Sequence, residues 1–254
     1  MRCRHTDGAY IQGNELMRLL KASLLLFPLA WINAAMALDP NEQAYADAPP
    51  TRFLVYSVTW QPTFCKMKPT TAGCEQPPQR FLTHGVWPYS ESIGKYTNRH
   101  PQFCTRSPAC AEGEACAMSE DAMDKVLDNA DLRALVPSDP AGMFAHEWKK
   151  HGTCSGQTMQ QYFENFVTLR KVVTFEDEAA FKQMIGNATM FSEIRKTFPA
   201  NTAFRCYKDV TGDQYLHEVF YLIDSQGEPY LNERNLQIGV QCAEQHTWIP
   251  RGRA

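Results

Sequence analysis

Residues 144–154 read Phe144-Ala145-His146-Glu147-Trp148-Lys149-Lys150-His151-Gly152-Thr153-Cys154. As far as Lys150 the stretch has the period of a helix, and Gly152 supplies a stop. Each helical residue advances by about 100°, so His146, Lys150, Glu147 and His151 fall within roughly 140° of arc. Two imidazoles, a carboxylate and an ammonium therefore share one face. Phe144 and Trp148, four apart beside that face, can anchor the helix in a core and hold the polar set rigid.

A solvated helical face is the ordinary explanation of any one of these residues. Four groups of three chemical kinds on one arc are harder to ascribe to chance. A zinc protease would place its second histidine four residues after the first, but Lys150 stands there, and an ammonium beside His146 would repel a divalent ion. No metal or other cofactor is therefore expected. Without metal, such a set can move protons and stabilise a developing oxyanion, with imidazoles that titrate near neutrality.

If one histidine takes a proton, another group must give one. His84 is the candidate, in Thr83-His84-Gly85-Val86-Trp87-Pro88. It lies at the end of an expected strand, with a glycine that permits close approach and an indole on which a base could stack.

Around these two segments the chain divides simply. Arg18 and Lys21 precede the apolar run Leu24 to Trp31, and Ala35-Met36-Ala37 has the small-x-small pattern of a signal-peptidase site. The expected organisation is an upstream extension and signal peptide over 1–37, then a single domain over 38–254. From that signal a periplasmic or secreted location is expected, and no other segment could cross a membrane. Of the 254 residues, 44% are hydrophobic and 21% charged, which fits one substantial core rather than a fibre or a disordered tail.

Arg52 to Trp60 reads as a strand ending at Gln61-Pro62, residues 66–80 as loop, and Phe81 to Trp87 as a strand stopped by Pro88. Ser119 can cap a helix ended by Pro137, Met143 to Lys150 forms the next, and Thr158 with Gln161 makes a capping box for another. Glu176 to Ile185 and Phe191 to Phe198 look helical. Ala203 to Lys208, Tyr215 to Asp224 and Glu228 to Leu231 look like strands. Strands at both ends with helices between them predict an α+β domain around a central antiparallel sheet.

Removing 1–37 takes away Arg2, Arg4, Arg18, Lys21, Asp7 and Glu15, leaving 21 basic against 26 acidic residues. A protein gripping duplex nucleic acid along its backbone is normally basic, so any nucleic-acid contact here should be short and local. The same cut removes Cys3 and leaves an even set of eight cysteines from nine. Evenness and export predict four disulfides, and the spacing lacks the paired knuckles of a zinc site. Asn187-Ala188-Thr189 is a glycosylation sequon that matters only in a host that glycosylates.

Together the segments HGVWP and HEWKKHGTC resemble the two active-site blocks of the T2 ribonuclease family, and VTWQPTFC resembles the family's opening strand. The likeness extends thinly over about residues 50–242. It implies an α+β fold, single-stranded RNA as partner and substrate, low base specificity, and a monomer. By resemblance, His151 is the general base, His84 the general acid, His146 the phosphate ligand, and Glu147 and Lys150 stabilise the transition state. Trp87 matches the family's stacking tryptophan, with Trp60 and Tyr89 as further candidates for base binding. Tyr89 replaces an aspartate that some members carry, so base preference does not transfer simply. The resemblance also pairs Cys104 with Cys154 and Cys206 with Cys242. Cys65–Cys74 fits a local loop, and Cys110–Cys116 follows by elimination. The competing reading is an exported protein with a degenerate site that binds RNA or a partner without cutting.

Overall fold

The structure is a computed structural model that describes residues 50–90, 102–104, 118–233 and 236–253. The expected signal peptide and the Cys110–Cys116 pairing lie outside these residues. In chain order the elements are β1 (Phe53–Trp60), α1 (Gln61–Met67), β2 (Phe81–Tyr89), α2 (Glu120–Leu127), α3 (Ala130–Leu135) and α4 (Ala141–Lys150). There follow α5 (Met159–Thr168), α6 (Glu178–Met184), β3 (Ala188–Met190), α7 (Phe191–Lys196), β4 (Thr202–Lys208), β5 (Gln214–Ile223) and β6 (His246–Trp248).

Strands β2, β1, β5 and β4 pair antiparallel in that spatial order. Beyond the end of β1, β6 joins β5 at Gln214 and Tyr215 in parallel, and β3 pairs with β6. The sheet is thus mainly antiparallel with one short parallel step. The sequence reading omitted β3 and β6 because three residues carry too little alternation to register. Glu228 to Leu231, expected as a strand, makes only an isolated bridge at Pro229.

The strand expected to end at Gln61-Pro62 does end at Trp60, but Pro62 also stands in the first turn of α1, a helix the sequence reading lacks, where its missing N–H has no helical partner to lose. Pro88 was expected to stop a strand, yet it pairs with Leu54 inside β2. Since β2 lies at the sheet edge, Pro88 needs no donor on its outer side. The helix expected from Ser119 to Pro137 is two helices, because Asn129 caps a new one by accepting from the Leu132 N–H at 3.0 Å. The capping box at Thr158 and Gln161 is present.

The main core fills the space between one sheet face and the helices. Tyr56, Val58, Trp60, Val219 and Tyr221 meet Phe144, Trp148, Phe163 and Phe166 there. Phe53, Val55, Trp87, Tyr89, Phe220 and Leu222 point the other way and form a smaller cluster with Leu236. β5 is buried along all ten residues, as a strand covered on both faces must be. Three disulfides, Cys65–Cys74, Cys104–Cys154 and Cys206–Cys242, cross-link the described chain.

Candidate active site

His84 and Trp87 are three residues apart, so in a regular strand they would face opposite sides of the sheet. A bulge removes the conflict. Ser57 pairs with Gly85 and Val58 with Thr83, which leaves His84 as the extra residue of β2. The alternation resets there, and the imidazole and indole meet edge to face with ring centroids 5.3 Å apart. β5 carries a matching bulge: Arg205 pairs with Glu218 and Cys206 with Leu216, so His217 is extra.

The second half of the site rides on α4. Phe144 and Trp148, both 0% exposed, bury one side of that helix in the main core, as the i, i+4 spacing requires. Its last carbonyls lack helical partners, and two of them are satisfied from the segment that follows and from Phe103, which precedes the helix in the chain. The Thr153 hydroxyl donates to the Lys149 carbonyl at 3.0 Å, and the Phe103 N–H donates to that of Lys150 at 2.9 Å. The Cys104–Cys154 disulfide fastens these strands of chain together. Gly152 is required by close approach, because a Cβ there would lie 2.3 Å from the Trp148 ring.

Glu147, 1% exposed, is where the two halves join. Its Oε2 accepts from the Trp87 indole N–H at 2.7 Å, and its Oε1 lies 3.4 Å from His84 Nε2. The His151 ring stacks on the Trp87 indole at 4.9 Å between centroids and 25° between planes. Trp87 therefore braces both histidines and the carboxylate. His146 and Lys150 stand half-buried on α4, one turn apart.

The other nitrogen of His84, Nδ1, lies 2.6 Å from Glu218 Oε1. Thr59 donates to the same oxygen at 2.9 Å, and the Arg205 guanidinium pairs with Oε2. The sequence reading missed Glu218, Arg205 and Thr59. A signal was present for Glu218, which with His217 stands between Leu216 and the apolar run Val219 to Ile223 in a fully buried strand, where a carboxylate needs a partner.

Burial disfavours the charged form of His84, but the Glu218 and Glu147 carboxylates outweigh it and raise its pKa. Burial also pushes the Glu147 carboxyl up, against the opposing pull of His84 and the Trp87 N–H. For Glu218 burial acts in the same sense, yet His84 and Arg205 prevail and bring its pKa down to about 2. Burial lowers that of His217 to about 4, so this neighbour is a neutral imidazole near pH 7. The arrangement favours the protonated form of His84 beside the buried Glu147 carboxyl, with a second imidazole across the indole. Among the described residues no group of three His, Cys, Asp or Glu side chains is placed to hold a metal ion.

The two further base-binding candidates lie in closed surroundings. Trp60 lies on the helix-facing side of the sheet, 2% exposed, edge-on to Phe81 and Phe181, with its indole N–H donated to the Pro250 carbonyl at 2.9 Å. It is a core residue remote in direction from His84. Tyr89 shares the face of Trp87 but is 2% exposed and stacked on Phe53, so it offers no open surface to a base. Trp87 itself is 4% exposed, which makes its bracing contacts its main structural role.

Gly85 is the tightest point of the site. A Cβ there would fall 2.0 Å from Glu147 Oε2 and 2.4 Å from Trp87 Nε1. Gly85→Ala should therefore break the indole–carboxylate contact, lowering kcat at least tenfold and stability by about 1–3 kcal/mol. Activity and thermal melting of the purified variant check this.

The model of the ribonuclease T2 family matches residues 51–242. Intracellular ribonuclease LX of Solanum lycopersicum is 27% identical over 202 residues, covering 75% of this chain and 80% of that protein. A ribonuclease of Aeromonas hydrophila is 26% identical over 148 residues, 58% of this chain and 54% of that one. Among solved structures, a ribonuclease from bitter gourd seeds superposes with TM-score 0.54 at 20% identity, covering 77% of this chain and 98% of that one. RNase NT in complex with 5′-AMP gives 0.52 at 21%, covering 79% and 98%. The fold is that of these ribonucleases, and the chain is an endoribonuclease. The chain belongs to the ribonuclease T2 family.

Proposed function

We propose that this endoribonuclease cleaves single-stranded RNA by metal-independent transesterification, with low base specificity. His151 takes the proton of the ribose 2′-hydroxyl. The 2′-oxygen attacks phosphorus as the bond to the 5′-oxygen breaks, and His84 gives its proton to that departing oxygen. The products are a 2′,3′-cyclic phosphate and a free 5′-hydroxyl. His146 binds the scissile phosphate, and Lys150 and Glu147 stabilise the pentacoordinate transition state. Hydrolysis of the cyclic ester runs with the two imidazoles exchanging roles.

The observation that best supports this reading is His84 itself, gripped by one carboxylate at each nitrogen, at 2.6 and 3.4 Å, and so suited to carry a proton to a leaving group. Its neighbour across the indole, His151, is the complementary base. Export to the periplasm or medium, with residues 1–37 removed, is supported by the three disulfides, which persist in oxidising compartments. Among the described residues no helix is long and apolar enough to cross a membrane. The mature enzyme is proposed to act as a monomer.

Incubating the mature protein with polyuridylate in EDTA tests the proposal. Chelator-insensitive cleavage is expected. Binding of the polymer without cleavage would favour an RNA-binding protein with a degenerate site, and loss of cleavage in EDTA would make the reaction metal-dependent.

A further inference from the structure

We propose that Glu218 is the positioning residue of the acid histidine: held by Thr59 and Arg205, it accepts the Nδ1 proton of His84 and so assigns proton delivery to Nε2. This rests on the reading of His84 as the general acid. Glu218 belongs to β5, not to either motif that carries the chemistry, and it is 1% exposed. A buried carboxylate costs desolvation free energy unless its oxygens are occupied, and here three strands occupy them. Thr59 of β1 and His84 of β2 both meet Oε1, while Arg205 of β4 meets Oε2.

This geometry fixes the orientation of the ring. Rotation of His84 by half a turn would replace the Nδ1 contact by a carbon against a carboxylate oxygen. With Nδ1 held, Nε2 faces Glu147 and the helical residues, and the side chain keeps 29% of its surface exposed to a substrate. An imidazole whose far nitrogen is held by a carboxylate has a defined tautomer once it has given up its proton, which is how a second residue tunes a first. Glu147 cannot substitute for this function, because it lies at the delivering nitrogen.

The charged and titratable groups facing the ring are Glu218 and His217 from β5, Arg205 from β4 and Glu147 from α4. Neutralising Glu218 would leave Arg205 facing His84 uncompensated. The imidazolium would then lose its proton at lower pH, and the basic limb of the rate profile would move down.

The test compares two substrates, uridylyl-adenosine and uridine 3′-(4-nitrophenyl phosphate). The nitrophenolate leaves without a proton, so only the first substrate needs an acid. Glu218→Gln should lose about a hundredfold or more in kcat on the dinucleotide, less than tenfold on the nitrophenyl ester, and show the lowered basic limb. Glu218→Asp should recover part of the dinucleotide rate. Thr59→Val should show a smaller loss with the same substrate selectivity. These two variants carry the comparison if Glu218→Gln does not melt as a folded protein.

His84→Ala separates this inference from its premise. If His84→Ala is selective for the dinucleotide but the Glu218 and Thr59 variants lose equally on both substrates, Glu218 is merely structural and the inference is overturned. If His84→Ala also loses equally on both, the acid assignment fails and the inference falls with it.

Discussion

Replacing either His84 or His151 by phenylalanine is expected to lower kcat/KM on RNA by on the order of 10²–10⁴, which is about 3–5 kcal/mol of transition-state stabilisation. Phenylalanine keeps the ring volume, so the expected loss is chemical. At position 151 the new ring can retain the stack on Trp87 now made at 4.9 Å. At position 84 Glu218 keeps Thr59 and Arg205, and Glu147 keeps the Trp87 N–H. Steady-state kinetics on variants shown to be folded by circular dichroism check the prediction. Near-wild-type turnover in either would remove that residue from the mechanism.

The wild-type rate should follow a bell-shaped pH profile, since one imidazole must be neutral and the other charged. Its basic limb reports deprotonation of His84, and the raised pKa moves that limb upward from the ordinary imidazole value. Stability has a related signature. A group whose pKa is higher in the folded state stabilises the fold below its unfolded pKa, and this contribution fades as pH rises through the folded value. The stability gap between the native protein and His84→Phe should therefore be widest in mild acid and narrow at alkaline pH. Glu218, lowered to about 2, acts oppositely, and its contribution disappears as pH falls toward that value.

A single 2′-deoxynucleotide on the 3′-oxygen side of one linkage in an RNA strand should abolish cleavage at that linkage while the flanking linkages are cut normally. The nucleophile is supplied by the substrate, and its fixed position beside phosphorus gives it an effective concentration no external water matches. Removing it leaves His151 with no proton to take in this step. Gel analysis of end-labelled strands reads the result directly. Cutting at the deoxy linkage at a rate near that of its neighbours would mean that water is the nucleophile.

Much of the site was legible in sequence because α4 is a regular helix, and a regular helix converts spacing into direction. His146, Glu147, Lys150 and His151 could be placed on one arc from the 3.6-residue period alone. The sheet half was less legible. Alternation puts residues 84 and 87 on opposite faces, and only the bulge at His84, invisible to a period-two reading, brings the imidazole and indole together. Glu218, Arg205 and Thr59 come from strands whose pairing is long-range, so nothing local marks them as partners of His84. Pro62 and Pro88 show the same limit, since their effect depends on whether the missing N–H would have had an acceptor.

The most direct test of the central claim is ³¹P NMR of uridylyl-adenosine during turnover. The acid–base mechanism predicts a 2′,3′-cyclic phosphate resonance that appears first and then gives way to the 3′-monophosphate. A 3′- or 5′-monophosphate formed from the start, with no cyclic ester before it, would contradict that mechanism.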